Sequence, residues 1–332
     1  MSVTLKDIAK IANVSHTTVS RALNNSPYIS AKTKERVMDI VRQRNYSPNI
    51  IAKGLVTNRT YNIALFFSSL TQGTSPNFFY ETVEGAYSVL KGNYNLVVQE
   101  TGGDTSFSSV DKNRFDGIIL ISQSETDDAF IRDVLSKGIP LVVLNREIDE
   151  SSVTNILAAD KIGAFEATKY LINSGHTRIG LIEGEKGFKS SLNRRDGYMQ
   201  ALMESEIPVN RNYMIKGEYN LESGFKAMKE LLLLPKVPTA VFCSNDDMAV
   251  GAMKAIFKAG LRVPEDISIV GFDDGVICGY VTPALTTVRK HSREFSIKGA
   301  QKLISMIDGR EQSGGKEYID TELVLRESVK KI

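Results

Sequence analysis

Over the first forty-five residues, apolar positions recur in short bursts at three- and four-residue spacing, the period of a helix buried along one side. Leu5, Ile8, Ala9 and Ala12 form the first burst. Thr4 opens it, and Asp7 three residues later completes a capping-box-like pair. Asn13-Val14 breaks the run, and Ser15 opens a second with Val19, Ala22 and Leu23 facing inward before Asn24-Asn25 ends it. Helices this short do not hold alone. A third, capped by Ser30 and running from Ala31 to about Asn45, offers Val37, Ile40 and Val41 to the other two. Three such helices, with small Ala9 at the close crossing, predict a helix-turn-helix unit.

From Tyr61 the pattern changes to apolar runs alternating with helical stretches. Strands are predicted at Ile63–Phe67, Leu96–Gln99, Gly117–Ile121, Leu141–Leu144, Thr154–Ala158, Arg178–Ile182, Tyr213–Lys216, Ala240–Cys243 and Ile267–Gly271. Helices between them include Phe78–Leu90, Lys161–Ser174, Asn193–Ser205, Leu221–Leu234 and Asn245–Ala259. This alternation predicts an α/β body of parallel sheets with helices on both faces. It is too long for one sheet, so two lobes are expected, with a cleft at the carboxyl ends of the strands.

Charge adds a division that hydropathy does not show. Residues 1–59 carry ten Lys and Arg against three Asp and Glu, while the rest carry thirty-one against thirty-six. A basic head on a slightly acidic body suits a polyanion partner for the head. On the second helix His16, Thr17, Ser20 and Arg21 face outward or toward its start, where a recognition helix meets base edges. Arg21 can make a two-pronged contact to guanine, and the threonine methyls can meet thymine methyls. Ser15, Thr18, Tyr28 and Lys34 suit phosphates.

Other chemistry is thin. Cys243 and Cys278 lie in apolar surroundings without a C-x-x-C pair or a metal quartet, so buried reduced thiols are expected and no metal. Gly180, Gly184 and Gly187 have the wrong spacing for a dinucleotide fingerprint. With three histidines and no Walker loop, H-E-x-x-H or G-x-S-x-G, neither enzyme nor cofactor is expected. The N-terminus lacks the apolar core of a signal peptide and no stretch is long enough to span a bilayer, so a cytoplasmic protein without membrane contact is expected.

The run from Thr4 to Asn24, T-L-K-D-I-A-K-I-A-N-V-S-H-T-T-V-S-R-A-L-N, resembles the head of the lactose-repressor (LacI/GalR) family. Later stretches extend the likeness over the whole chain: Ser174–Gly180, Arg194–Tyr198, Ser244–Ala249, Val270–Asp274 and Thr282–Val288. The resemblance implies a transcriptional regulator, expected to be a repressor, that binds a pseudo-palindromic operator as a homodimer. It implies a three-helix head over 1–46, a hinge over 47–59 and a body like a periplasmic sugar-binding protein. One lobe would comprise 60–160 with 290–320, the other 161–289 with 321–332. Thr4, Asn24, Asn49 and Ala52 would join the DNA contacts, and Leu55 would wedge a base step in the minor groove. No leucine heptad follows Leu325, so a dimer is expected rather than a tetramer. A full helix usual between the second and third strands has only Thr105–Phe115 to form from, and is expected short or missing.

The same resemblance places an effector, a small sugar or sugar acid, in the cleft. Asn145 and Arg146 would close one strand of the first lobe, with Ser68, Phe79 and Tyr80 lining its wall. Arg194, Tyr219, Asn245 and Asp273 would face them, Tyr219 as the stacking surface. Arg146, Arg194 and Arg195 together suggest an acidic ligand. Effector and operator would affect each other's binding reciprocally. The family also leaves a phosphorylated carrier protein open as a partner. A sugar-binding receptor without a regulatory role is the alternative; it accounts for the body but not for the basic head.

Gly54 stands where the family usually has a small polar residue. Glycine costs roughly 1 kcal/mol of helix propensity relative to alanine, so the hinge is expected to be less pre-formed. Gly54→Ser should therefore tighten operator binding in a titration of labelled duplex; unchanged or weaker binding would refute this account.

Overall fold

The structure is a computed structural model describing residues 4–23, 26–44, 57, 59–102 and 107–332. The chain divides into a unit over residues 1–60 and a second over 61–332. In the first, α1 (Leu5–Ala12), α2 (His16–Leu23) and α3 (Ala31–Gln43) meet around Ile8, Ala12, Val19, Ala22 and Val37. All three expected caps form. The Thr4 hydroxyl accepts from the Asp7 amide at 3.3 Å while the Asp7 carboxylate accepts from the Thr4 amide at 2.9 Å. Ser15 and Ser30 accept from the amides of Thr18 and Thr33 at 3.1 and 3.2 Å. Each cap satisfies an amide that the first helical turn leaves without a partner.

The second unit holds two six-stranded sheets. The first contains β1 (Asn62–Phe67), β2 (Asn95–Glu100), β3 (Gly117–Ile121), β4 (Leu141–Leu144), β5 (Thr154–Ala158) and β11 (Lys316–Ile319), all parallel, in the order β11-β5-β4-β3-β1-β2. The second contains β6 (Ile179–Ile182), β7 (Met214–Ile215), β8 (Ala240–Cys243), β9 (Ser268–Asp273), β10 (Thr286–Arg289) and β12 (Glu322–Val324), in the order β12-β10-β9-β8-β6-β7. Only β12 runs antiparallel to its neighbour. Strands β3, β4, β5, β6 and β8 are buried along their whole length, which explains why all but β5, which opens on Thr154 and Asn155, read as unbroken apolar runs.

Helices α4 (Pro76–Leu90), α5 (Asp128–Ser136) and α10 (Ser292–Ile307) cover the first sheet, while α6 (Asp160–Asn173), α7 (Lys189–Glu204), α8 (Leu221–Leu232) and α9 (Asp246–Lys258) cover the second. The chain passes between the sheets three times, after β5, after β10 and after β11. Within each sheet the order reverses beside the first strand, between β1 and β3 and between β6 and β8. In open α/β sheets that reversal opens a crevice at the strands' carboxyl ends.

Between β2 and β3 the described residues form turns, not a helix. The amides of Arg114 and Phe115 both donate to the Asp111 carbonyl, and Val110 and Phe115 cover the sheet face that a helix would shield. Phe107 meets Phe130 edge-on at 5.3 Å. The expected strand over Tyr213–Lys216 shrinks to two residues because Tyr213 sits in a short 3-10 turn. Helix α7 begins at Lys189, four residues ahead of the expected start; its polar first turn carries no apolar period to announce it.

Among the described residues three helix pairs touch backbone to backbone, α4 with α10 at Gly85 and the two covering the second sheet. A Cβ added at Gly251 of α9 would lie 2.1 Å from the Leu221 carbonyl oxygen of α8, and one at Gly197 of α7 would lie 2.2 Å from that of Lys161 in α6. Gly251→Ala must push α8 off α9 and should cost about 1–3 kcal/mol. Thermal or denaturant unfolding of the whole protein would register this as a lowered midpoint; an unchanged midpoint would show that the pair has slack.

Candidate DNA interface and effector cleft

Helix α2 buries Val19 and Ala22 and turns His16, Thr17 and Arg21 to the outside; Thr18 and Ser20 are half-buried at its flanks. Tyr28, in the turn ahead of α3, is 85% exposed. Ser15 and Thr18 share a hydroxyl contact at 2.9 Å at the start of α2, where free backbone amides favour phosphate. Thr4 is taken up by its own cap, donating to Asp7 at 2.7 Å. The expected contacts Asn24, Asn49, Ala52 and Leu55, and Gly54 beside them, lie outside the described residues.

In the second unit a small cavity lies between the two sheets' carboxyl ends, with about 30 Å³ of free space. Gly73, Ser75, Phe78, Gln123 and Asn145 line it from the first lobe; Ser190, Arg194, Tyr219, Asn245 and Asp273 line it from the second, and Lys290 stands at a crossing. Across it the Lys189 amide donates to the Gln123 carbonyl at 3.0 Å. The lobes therefore touch beside the cavity, and a further space of about 340 Å³, lined by Tyr80 from one lobe and Asp246 from the other, adjoins it.

Three of the expected ligand residues have positive φ: Asn145 at 75°, Tyr219 at 58° and Asp273 at 114°. Such backbone costs on the order of 1–3 kcal/mol per residue and concentrates at binding sites. Tyr219 reaches its place because Gly184 has no side chain: a Cβ there would fall 2.1 Å from the Tyr219 ring. The glycine that fails as part of a dinucleotide fingerprint is the one that makes room for this ring. Tyr219 then meets Ser190 at 3.1 Å and lies 6.2 Å from Phe188 between ring centroids. Burial pushes its hydroxyl up to about 12.

Arg194 is enclosed. Its guanidinium donates to Asp160 at 2.9 Å, to the Ser244 carbonyl and to Asp273 at 3.4 Å, and it lies over the Phe272 ring at 3.7 Å. Burial penalises its charge, but Asp160 and Asp273 outweigh that and hold it protonated. Asn245 caps α9 by accepting from Met248 at 2.9 Å and donates to the Tyr219 carbonyl at 3.1 Å, so it positions the ring as well as lining the cavity.

Elsewhere on the first-lobe wall the expected residues are displaced. Phe79 packs against Phe67 at 5.3 Å in the lobe core, because α4 turns its neighbour Phe78 to the cleft. Ser68 donates to Asp127 at 2.5 Å. Tyr80 lines an adjoining space with Asp246, Asp247 and Gly275. Arg146 bonds Ser122 and Asp128 and lines a separate cavity, and Arg195 faces Asp196 at 3.7 Å. Gln123 and Lys290 were missed, although each follows the end of a strand just as Asn145 does.

The comparisons agree with this two-part construction. The family model described as "Bacterial regulatory proteins, lacI family" matches residues 4–49, and that described as "Periplasmic binding protein-like domain" matches residues 168–329. The "Probable HTH-type transcriptional repressor ExuR" of Bacillus subtilis is 52% identical over 330 residues, 99% of each chain. This protein belongs to the LacI family. The ribose operon repressor of Haemophilus influenzae is 34% identical over 98% of each chain. Among solved structures, the lac repressor dimer bound to operator and an anti-inducer superposes with a TM-score of 0.81 at 28% identity, over 99% of this chain and 100% of that one. The LacI-family protein described here is thus a transcriptional regulator, not an enzyme. Among the described residues no helix is long and apolar enough to cross a membrane.

Beside the cleft, Asp246 accepts from the Gly275 amide at 2.7 Å and from Thr287 at 2.5 Å. Burial, reinforced by Asp273, raises its pKa from 3.8 to about 8, and burial raises that of Asp247 to about 6. A carboxyl that holds its proton when folded but ionises freely when unfolded disfavours folding increasingly between its two pKa values. Stability should therefore fall as pH rises from about 4 to about 8. Denaturant midpoints across that range would show the slope, and Asp246→Asn should flatten it; an equal slope in the variant would refute the assignment.

Proposed function

We propose that this LacI-family chain is a cytoplasmic repressor that binds a pseudo-palindromic operator as a dimer, and that a small polyhydroxylated effector, a sugar or sugar acid, controls it from the inter-lobe cleft. One observation carries the reading: the same chain joins a helix-turn-helix with an outward-facing polar α2 to an α/β body whose two lobes close on a polar cavity lined by an aromatic ring. His16, Thr17, Ser20 and Arg21 would read bases, and Ser15, Thr18, Tyr28 and Lys34 would hold phosphates. Residues 47–59 would act as the hinge. The lobes would comprise 60–160 with 290–320 and 161–289 with 321–332. The ribose repressor's name and the anti-inducer in the lac repressor complex support control by a ligand. The cleft, not a second protein, is the proposed control point.

Ligand binding would fix the lobe angle, and in a dimer that angle sets the spacing of two heads on half-sites about one helical turn apart. Selection from a random duplex pool, repeated with a panel of sugars and sugar acids, tests this. The expected outcome is an enriched pseudo-palindrome whose retention one compound alters. Arg21→Ala should weaken that site by about 1–3 kcal/mol and relax preference at a guanine. Absence of any enriched site would favour the receptor alternative.

A further inference from the structure

We infer that Lys290 selects the effector by charge, gripping a carboxylate on an acidic sugar in the cleft. This rests on the cleft reading above and names the class of ligand within it.

Lys290 follows the end of β10, at the second passage between the lobes, and is 3% exposed. Its ammonium donates to the Asn145 side-chain oxygen at 2.8 Å and stands 4.5 Å from the Phe78 ring centroid. Among the described residues no carboxylate oxygen comes within the 4.0 Å of an ion pair. An ammonium has three donors, and a buried charge with one neutral acceptor and an aromatic face is expensive to hold. Burial lowers its pKa, with Asp160 and Asp273 only partly opposing this. A carboxylate arriving in the cavity would supply the missing partner.

The arginines do not compete for that role. Arg194 is already bound to Asp160, Asp273 and a carbonyl, and Arg146 to Asp128 and Ser122. The acidic-ligand expectation survives with a different residue behind it. A second feature points to hydroxyls beside the acid. Gln123 lines the same cavity and donates to Gly73 and Thr74, yet its side-chain oxygen is buried without a partner. An unsatisfied buried acceptor costs about 1–3 kcal/mol, which a ligand hydroxyl would relieve. One cationic donor and one empty acceptor lining the same cavity describe a polyol carrying a single negative charge. A phosphate carries closer to two charges, and Asp273 in the same lining disfavours the second.

Titration calorimetry on the full-length protein tests this with neutral hexoses, the hexuronic and hexonic acids derived from them, and hexose phosphates. At least one acid should bind about thirtyfold or more tightly than its neutral parent. Lys290→Gln should erase that preference, lowering affinity for the acid by a similar factor. Lys290→Arg should keep most of the preference, and retained operator binding would show both variants folded. The inference is overturned if a neutral hexose binds wild type as well as any acid, if only phosphates bind, or if the acid preference survives Lys290→Gln. Each of those results leaves the cleft standing as a sugar site. Silence toward the entire panel overturns the inference and the cleft reading together.

Discussion

Arg194 is the point on which the second lobe's cleft face is organised. Its guanidinium joins the first residue of α6, the residue after β8 and the last residue of β9, while its flat face lies on Phe272. Only a planar fork with several fixed donors reaches three directions at once. The strained Asp273 backbone and the Tyr219 ring both stand against this hub. Two carboxylates offset the cost of burying the cation, so the cluster works as a unit: removing the arginine would leave both acids stranded in a dry site.

That cluster also shows where sequence reading reached and where it stopped. Central strands such as Gly117–Ile121 and Ala240–Cys243 are legible because both faces are buried, and burial leaves an unbroken apolar run. Edge strands β11 and β12 were not legible. Lys316-Glu317-Tyr318-Ile319 and Glu322-Leu323-Val324 show no alternation and span only four and three residues, too short to stand out. Asn145, Tyr219, Asn245 and Asp273, expected at strand ends, do line the cavity; Lys290 follows a strand that was not assigned, and Gln123 follows one that was, so an assigned strand alone does not single out its lining residues. Phe78 and Phe79 differ by one helical step of 100°, which periodicity alone does not resolve at a helix's first turn.

Electrostatics needed coordinates most. A list of arginines near a cleft says nothing of which are already paired. Arg146 and Arg194 are both spoken for, by Asp128 in one case and by Asp160 and Asp273 in the other. The lysine that no motif singled out is the one left with a neutral partner. Net charge around a site is a poor guide to its ligand; the count of donors still uncommitted is a better one.

Three passages of chain between the lobes have a mechanical consequence. One strand would let the lobes twist and slide freely, whereas three side by side admit essentially one motion, a swing about the line they define. Lys290 lies on one of those passages, directly after β10. Gln123 comes from one lobe and Tyr219 from the other, and both line the same cavity as Lys290. A contact on such a passage would move less in that swing than contacts carried on the lobes. A molecule touching both lobes and the passage at once would therefore resist that swing.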